Sequence, residues 1–164
     1  MPAGDPEAAA PLRLCGGCHC GNLRLTLETL RDPGELTVRA CSCSFCRRHG
    51  VRTVSDPAGR VEFVVGDPAQ LSRYRFGLGT AQFLVCRACG VYVGAVIVEA
   101  GAAYAIVNIN VLEAPEVFAA STVPVSYDGE TSAERRARRR ARWTPATVVE
   151  TRRRKALLGG GGPG

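Results

Sequence analysis

The alternation of apolar and polar positions predicts that most of the chain folds as short β-strands. From position 23 to 28, leucine alternates with polar residues, which is the period of two expected of a half-buried strand. Turn sequences rich in Gly, Pro and Asp separate the apolar runs. This pattern predicts a mostly β domain with antiparallel pairing. The other predicted strands span 60–65, 72–76, 82–85, 91–99 and 103–110.

The clearest helix signal lies near the C-terminus, over residues 131–143. Thr131 and Glu134 have the spacing of a capping box, and Pro145 follows the expected end. Six of the eight residues from 135 to 142 are arginine. Because like charges four residues apart repel each other on a helix, we expect this helix to need support from the body of the protein or from anions.

Length and composition predict one domain with terminal extensions. The chain has 164 residues, 46% of them hydrophobic, which is enough for one core. The Ala- and Pro-rich start predicts a flexible arm over 1–12, and the Gly-rich end predicts a C-terminal tail over 146–164. Between them we expect a cysteine-bearing β domain over 13–129 and the arginine-rich helix over 130–145.

The positive charge is concentrated in one segment. The formal net charge is +6, and residues 130–155 carry ten Arg or Lys against three Glu, so the rest of the chain is nearly neutral. A basic run without interleaved aromatic residues makes nucleic acid an unexpected partner. No apolar run reaches the roughly 18 residues of a membrane span, and no signal-peptide pattern is present. We therefore expect a cytoplasmic protein with no membrane partner.

Eight cysteines in such a chain favour metal binding over disulfides. Thiols stay reduced in the cytosol, and closely spaced Cys-x-Cys pairs are typical of metal sites. The cysteines are Cys15, Cys18, Cys20, Cys41, Cys43, Cys46, Cys86 and Cys89.

Two cysteine pairs predict one closed zinc site. Cys18 with Cys20, and Cys86 with Cys89, each end in a Cys-Gly step. Glycine there permits a tight turn in which backbone N–H groups can donate to the thiolate. Four thiolates from two such turns would complete a structural zinc site. Cys15 forms a further CxxC with Cys18 and is an alternative partner, although we favour Cys20 because Gly21 follows it.

The remaining cluster of Cys41, Cys43 and Cys46 offers only three thiols, which is typical of a catalytic zinc with one open position. An iron–sulfur cluster is a lesser alternative. The fourth ligand could instead be His49, His19 or Cys15.

Two arginines follow the three-cysteine cluster directly. Arg47 and Arg48 are candidates for binding substrate carboxylates in bidentate geometry. The alternative for both side chains is a solvated turn.

Three motifs together resemble the glutathione-dependent formaldehyde-activating family, which includes centromere protein V. They are GCHCG at 17–21, CSCSFCRR at 41–48 and CRACG at 86–90, and the resemblance spans about residues 16–112. It implies a β-tent fold of small antiparallel sheets pinned by zinc, with two zinc ions per chain. The implied structural zinc ligands are Cys18, Cys20, Cys86 and Cys89, and the implied catalytic zinc ligands are Cys41, Cys43 and Cys46.

The resemblance implies a zinc-dependent carbon–sulfur lyase that acts on a thiol–aldehyde adduct, with glutathione and formaldehyde as the implied partners. Two alternatives remain from the residues themselves. One is a zinc-binding carrier of a thiol or aldehyde without turnover. The other is a structural zinc module whose basic helix binds a polyanion.

Overall fold

The computed structural model describes residues 10–118 and 122–151. Almost all of the predicted arm over 1–12, and the predicted tail beyond residue 151, lie outside these residues. Within them, the strands are β1 (Leu12–Gly17), β2 (Leu23–Thr29), β3 (Arg39–Cys41), β4 (Thr53–Val54), β5 (Arg60–Val65), β6 (Leu71–Tyr74), β7 (Gln82–Cys86), β8 (Tyr92–Glu99), β9 (Ala102–Asn108), β10 (Val123–Val125) and β11 (Thr144–Glu150). The α-helices are α1 (Ser44–Arg48) and α2 (Ser132–Arg142), and short 3₁₀ helices span Pro33–Glu35, Pro68–Gln70, Ile109–Val111 and Pro115–Val117.

The strands join in one branched sheet, which confirms the mostly β prediction. The main path runs β1-β2-β5-β11-β9-β4-β3-β10, and a branch of β8, β7 and β6 leaves from β9. Most neighbours are antiparallel, whereas β10 pairs with β3 and β11 with β5 in parallel. Hydrogen bonding therefore links the described strands without a break, rather than dividing them among separate small sheets.

Two apolar cores lie against the sheet. In β2 the alternating leucines are buried, as the period of two predicts, and they pack with Phe63 of β5 in the larger core. The smaller core contains Cys46, Tyr92 and Trp143. Six successive residues of β8 are buried, because this strand contributes side chains to both cores. The smaller core is the one that adjoins the three-cysteine cluster.

The predicted basic helix is confirmed as α2. The Thr131 hydroxyl accepts from the Glu134 N–H at 3.2 Å, and the Glu134 carboxylate accepts from the Thr131 N–H at 2.8 Å. This is the predicted capping box. The helix packs against β8 and β9, so the body supplies support of the kind that its arginine content requires.

The prediction of a C-terminal tail from residue 146 is wrong as far as Glu150. Residues Thr144–Glu150 form β11, which lies between β5 and β9 inside the sheet. Ala146 and Val148 pack against the larger core. The short β-branched run Thr147-Val148-Val149 is a strand signal, but it lies between an arginine-rich helix and a basic, Gly-rich end. The strand ties the end of α2 to the centre of the sheet.

A buried polar network fixes the start of β11. The Asp56 N–H donates to the Thr144 hydroxyl at 2.8 Å, and the Thr29 hydroxyl donates to the Asp56 carboxylate at 2.6 Å. All three residues are buried. A buried donor without a partner is costly. This network therefore holds the start of β11, and with it the end of α2, against the rest of the domain.

Replacement of Thr144 should destabilise the whole domain. Thr144→Val keeps the side-chain shape but leaves the buried Asp56 N–H without its acceptor, which costs about 1–3 kcal/mol. Thr147→Val is the matched control, since Thr147 is exposed on the same strand. Urea unfolding should show a lower midpoint for Thr144→Val alone, and equal midpoints for the two variants would contradict the assigned role of the network.

Candidate metal centre

The sulfurs of Cys18, Cys20, Cys86 and Cys89 lie within 4.8 Å of one another. The Sγ atoms of Cys18 and Cys20 are 3.7 Å apart, and those of Cys20 and Cys86 are 3.5 Å apart. A tetrahedron with zinc–sulfur bonds of about 2.3 Å has edges of about 3.8 Å. The donor set and its spacing therefore fit a zinc ion.

The two turns that carry this first cluster have matching backbone geometry. Gly21 and Gly90 adopt φ values of +81° and +76°, which favour glycine. The N–H of each glycine donates to the carbonyl of the first cysteine of its own turn. The Leu23 N–H donates to the Cys18 sulfur at 3.2 Å. These turns join β1 to β2 and β7 to β8, so the cluster brings the ends of two hairpins together.

The thiols of the first cluster differ in their affinity for protons. Burial raises the pKa of Cys18, and it raises the pKa of Cys86 to about 12. Burial opposes ionisation of Cys89 too, but hydrogen bonds from the backbone of Cys20 and Val91 lower the pKa of Cys89 to about 6. A bound cation would stabilise all four thiolates together.

The second cluster consists of Cys41, Cys43 and Cys46, whose sulfurs also lie within 4.8 Å of one another. Cys41 ends β3, and Cys43 caps the N-terminus of α1, where its sulfur accepts from the Cys46 N–H at 3.4 Å. Cys46 is buried on α1 itself. One strand end and one helical turn thus bring the three thiols close together.

A shared hydrogen bond shows how crowded these three thiols are. The hydrogen bond from Cys46 lowers the pKa of Cys41 to about 5, against the effect of burial. The same hydrogen bond raises the pKa of Cys46. Opposite shifts of this kind are expected of thiols packed this closely, and a cation at this place would stabilise the three thiolates together.

The three further candidates for ligands lie outside both clusters. Cys15 is exposed, and its sulfur lies 3.9 Å from the Thr26 hydroxyl. His19 is exposed, and the exposed ring of His49 packs on Phe45 with centroids 4.4 Å apart. Among the described residues, neither His19 nor His49 belongs to a group of side chains that could hold a metal ion. The second cluster therefore offers three protein ligands.

A cavity of about 110 Å³ borders the second cluster and not the first. The three cysteines line one part of it, and aromatic side chains line another. Three arginines of α2 also line it, and Asp128 is an acidic residue of the lining. The residues concerned are Cys41, Cys43, Cys46, Phe76, Phe83, Tyr92, Trp143, Arg135, Arg138 and Arg139. Burial raises the pKa of Tyr92 well above its ordinary value, so the phenol in this cavity is neutral.

The structure does not bring Arg47 and Arg48 into this cavity. Both are exposed at the end of α1, and Arg47 Nε donates to the Ser42 carbonyl at 3.0 Å. Their role in substrate binding stays a prediction. Sequence reasoning missed the arginines of α2, although their spacing of three and four residues places Arg135, Arg138 and Arg139 on one helix face.

Two of these α2 arginines form ion pairs with the same carboxylate. Glu130 accepts from Arg135 at 3.1 Å and from Arg138 at 2.6 and 2.9 Å. The hydrogen bond from Arg138 lowers the pKa of Glu130. Arg138 also lies over the Tyr127 ring, 3.6 Å from its centroid. Arg139 instead donates to the Thr80 hydroxyl at 2.7 Å.

The fold and the clusters define a β protein with one four-thiol site and one three-thiol site beside a cavity. The sequence model of the glutathione-dependent formaldehyde-activating enzymes matches residues 13–125. The chain belongs to this family, which confirms the resemblance seen in the motifs. The match includes both clusters and ends before α2.

A crystal structure of a Rhodobacter sphaeroides protein is similar to this chain, with 34% sequence identity and a TM-score of 0.46. The similarity covers 60% of this chain and 87% of that protein.

No helix in the described part of the chain combines the length and the apolar character that crossing a bilayer requires.

Metal analysis of the purified chain should give two zinc ions per molecule. Cys43→Ser should lower the content to one and leave the fold intact, because the first cluster keeps its four thiols. Cys15→Ser is the matched control and should keep two, since Cys15 lies outside both clusters. Inductively coupled plasma mass spectrometry with circular dichroism measures both properties. One zinc in the unmodified chain would contradict the two-site interpretation.

Proposed function

We propose that the chain is a zinc-dependent carbon–sulfur lyase that makes or cleaves an adduct of a thiol and an aldehyde, similar to S-hydroxymethylglutathione. The observation that carries this proposal is the position of the three-thiol cluster beside the cavity. Membership of the formaldehyde-activating family supports the same substrate class. We place the reaction in the cytoplasm, where thiols remain reduced.

The second cluster would hold the metal that the reaction needs. A zinc ion bound by Cys41, Cys43 and Cys46 would supply a Lewis acid with one position open to the substrate. Three thiolates leave such a site with a net negative charge. Arg135 of α2 lines the same cavity and offsets part of that charge, since it contributes to the lowered pKa of Cys41.

The reaction moves one proton and exchanges the π bond of the carbonyl for a carbon–sulfur bond. In the forward direction a carbon–sulfur bond forms between the thiol sulfur and the carbonyl carbon, and the proton of the thiol ends on the carbonyl oxygen. Tyr92 is a neutral phenol in the cavity lining, so it can donate a hydrogen bond to that oxygen as negative charge develops there. The neighbouring rings of Phe76 and Phe83 exclude water from the reacting atoms.

The size of the cavity restricts what enters it. Pockets for drug-sized ligands have volumes of about 300–1,000 Å³, whereas this cavity measures about 110 Å³. It suits a small aldehyde and the sulfur end of its thiol partner. The remainder of a tripeptide thiol would lie outside, where Arg47 is bonded to Ser42 of the cavity wall. We keep Arg47 and Arg48 as proposed carboxylate ligands for that outer part.

The lyase proposal is tested by exchange kinetics. Two-dimensional NMR exchange between free glutathione and its formaldehyde adduct should be faster with the zinc-loaded chain than with buffer. Cys43→Ser should remove the acceleration, whereas Cys15→Ser should retain it. If the chain binds the adduct stoichiometrically without acceleration, the carrier function replaces the lyase.

The proposed outer arginines are tested separately. Arg47→Gln with Arg48→Gln should raise the KM for glutathione about tenfold, which corresponds to the loss of one charge-assisted contact. The same double variant should leave the KM for 2-mercaptoethanol unchanged, because that thiol has no carboxylate. Arg52→Gln, an exposed arginine bonded to Asn110, serves as the control. An equal effect on both thiols would argue against a role in carboxylate binding.

A further inference from the structure

Arg139 differs from the other arginines that line the cavity. It is only 9% exposed, and no carboxylate among the described residues forms an ion pair with it. Arg135 and Arg138, by contrast, share Glu130. A buried cation without a counter-charge is costly, so an anion beside Arg139 would be strongly stabilised.

The hydrogen bonds of Arg139 leave donors unused. Its Nη1 donates to the Thr80 hydroxyl at 2.7 Å, while its Nε is buried and has no partner in the described part of the chain. Buried polar groups in proteins almost always have a partner. The guanidinium therefore has N–H donors without an acceptor in the described part of the chain, and a carboxylate is a group that matches its geometry.

Neighbouring residues hold Arg139 at the cavity wall. Its guanidinium lies over the Trp143 ring, 4.8 Å from the centroid, and Thr80 accepts one of its N–H groups. Arg139, Thr80 and Trp143 all line the same cavity as the three cysteines. A ligand small enough for about 110 Å³ would therefore reach the arginine and the thiol cluster together.

We propose that Arg139, supported by Thr80 and Trp143, forms a carboxylate subsite inside the cavity, so that the preferred substrate is a small acid whose thiol or aldehyde lies one or two carbons from its carboxylate. This proposal rests on the proposed thiol–aldehyde chemistry for the identity of the reacting group. The carboxylate subsite lies on α2 and the loop before β7, away from Arg47 and Arg48. The helix itself falls outside the family match, so the subsite depends on a segment that the family motifs do not contain.

The test compares acids with neutral analogues of similar shape on the zinc-loaded full chain. Isothermal titration calorimetry would measure mercaptoacetate against mercaptoacetamide, glyoxylate against methylglyoxal, and propionate against propionamide. The acid should bind about ten- to a hundredfold more tightly than its analogue, as expected for hydrogen bonds to a charged group. A preference in the first pair assigns the carboxylate to the thiol, and one in the second pair assigns it to the aldehyde. No preference in any pair overturns the proposal.

Variants then assign the preference to one residue. Arg139→Gln should abolish it, so that each acid and its neutral analogue bind with similar affinity. Arg140→Gln is the matched control, because Arg140 is exposed on the same helix, and it should retain the full preference. If Arg139→Gln keeps the preference, the proposal is wrong.

A second measurement does not depend on the variant folding. Trp143 is the single tryptophan of the chain, so its indole N–H gives one assignable NMR signal. Propionate should shift that signal, whereas propionamide should not, and no shift by propionate overturns the proposal. Since propionate has neither a thiol nor an aldehyde, this result stands even if the lyase proposal fails.

Discussion

The structure depends on the crowding of seven cysteine sulfurs into two small volumes. Within each cluster the sulfurs lie less than 4.8 Å apart, and several thiolates at such distances repel one another unless a cation is present. The pKa of Cys41 is lowered and that of Cys46 is raised, as expected under this constraint. Metal binding would replace repulsion with cross-linking, and the binding free energy would then contribute to folding.

The two clusters differ in the number of ligand positions that they would leave open on a bound metal. The first joins the turns of two hairpins with four thiols, so it has no ligand position left for chemistry. The second has three thiols and borders a cavity that β8, β9 and α2 help to enclose. The strand β11 connects the two regions, since it inserts between β5 and β9 directly after α2. The pairing of β11 at the centre of the sheet therefore also holds α2, which forms part of the cavity wall.

Local sequence signals were sufficient for the cysteine groupings and the strand pattern. Only a few adjacent residues determine the geometry of the two Cys-Gly turns and of the CxCxxC run. Thr131 and Glu134 define the start of a helix in the same local way. Those features could be predicted because turn and cap geometry depends on adjacent residues. The family match adds independent support for the same motifs.

Long-range packing accounts for what could not be predicted. The run 147–149 could form a strand only because β5 and β9 leave a place for it, and the sequence does not specify that place. The same limit applies to the arginines considered as candidates for binding substrate. Arg47 and Arg48 were chosen because they follow a ligand in sequence, whereas Arg135, Arg138 and Arg139 reach the cavity from a helix about ninety residues away. Charge complementarity across a fold is visible only once the fold is known.

We infer that one zinc site is closed by four thiolates and that the other is open with three. Zinc X-ray absorption spectroscopy on the purified chain measures this directly. We expect an average of about 3.5 sulfur ligands per zinc, with the remainder oxygen or nitrogen. The average should rise toward about 4 when a small thiol is added. An average of four sulfurs before any thiol is added would contradict the claim, because both sites would then be closed by the protein.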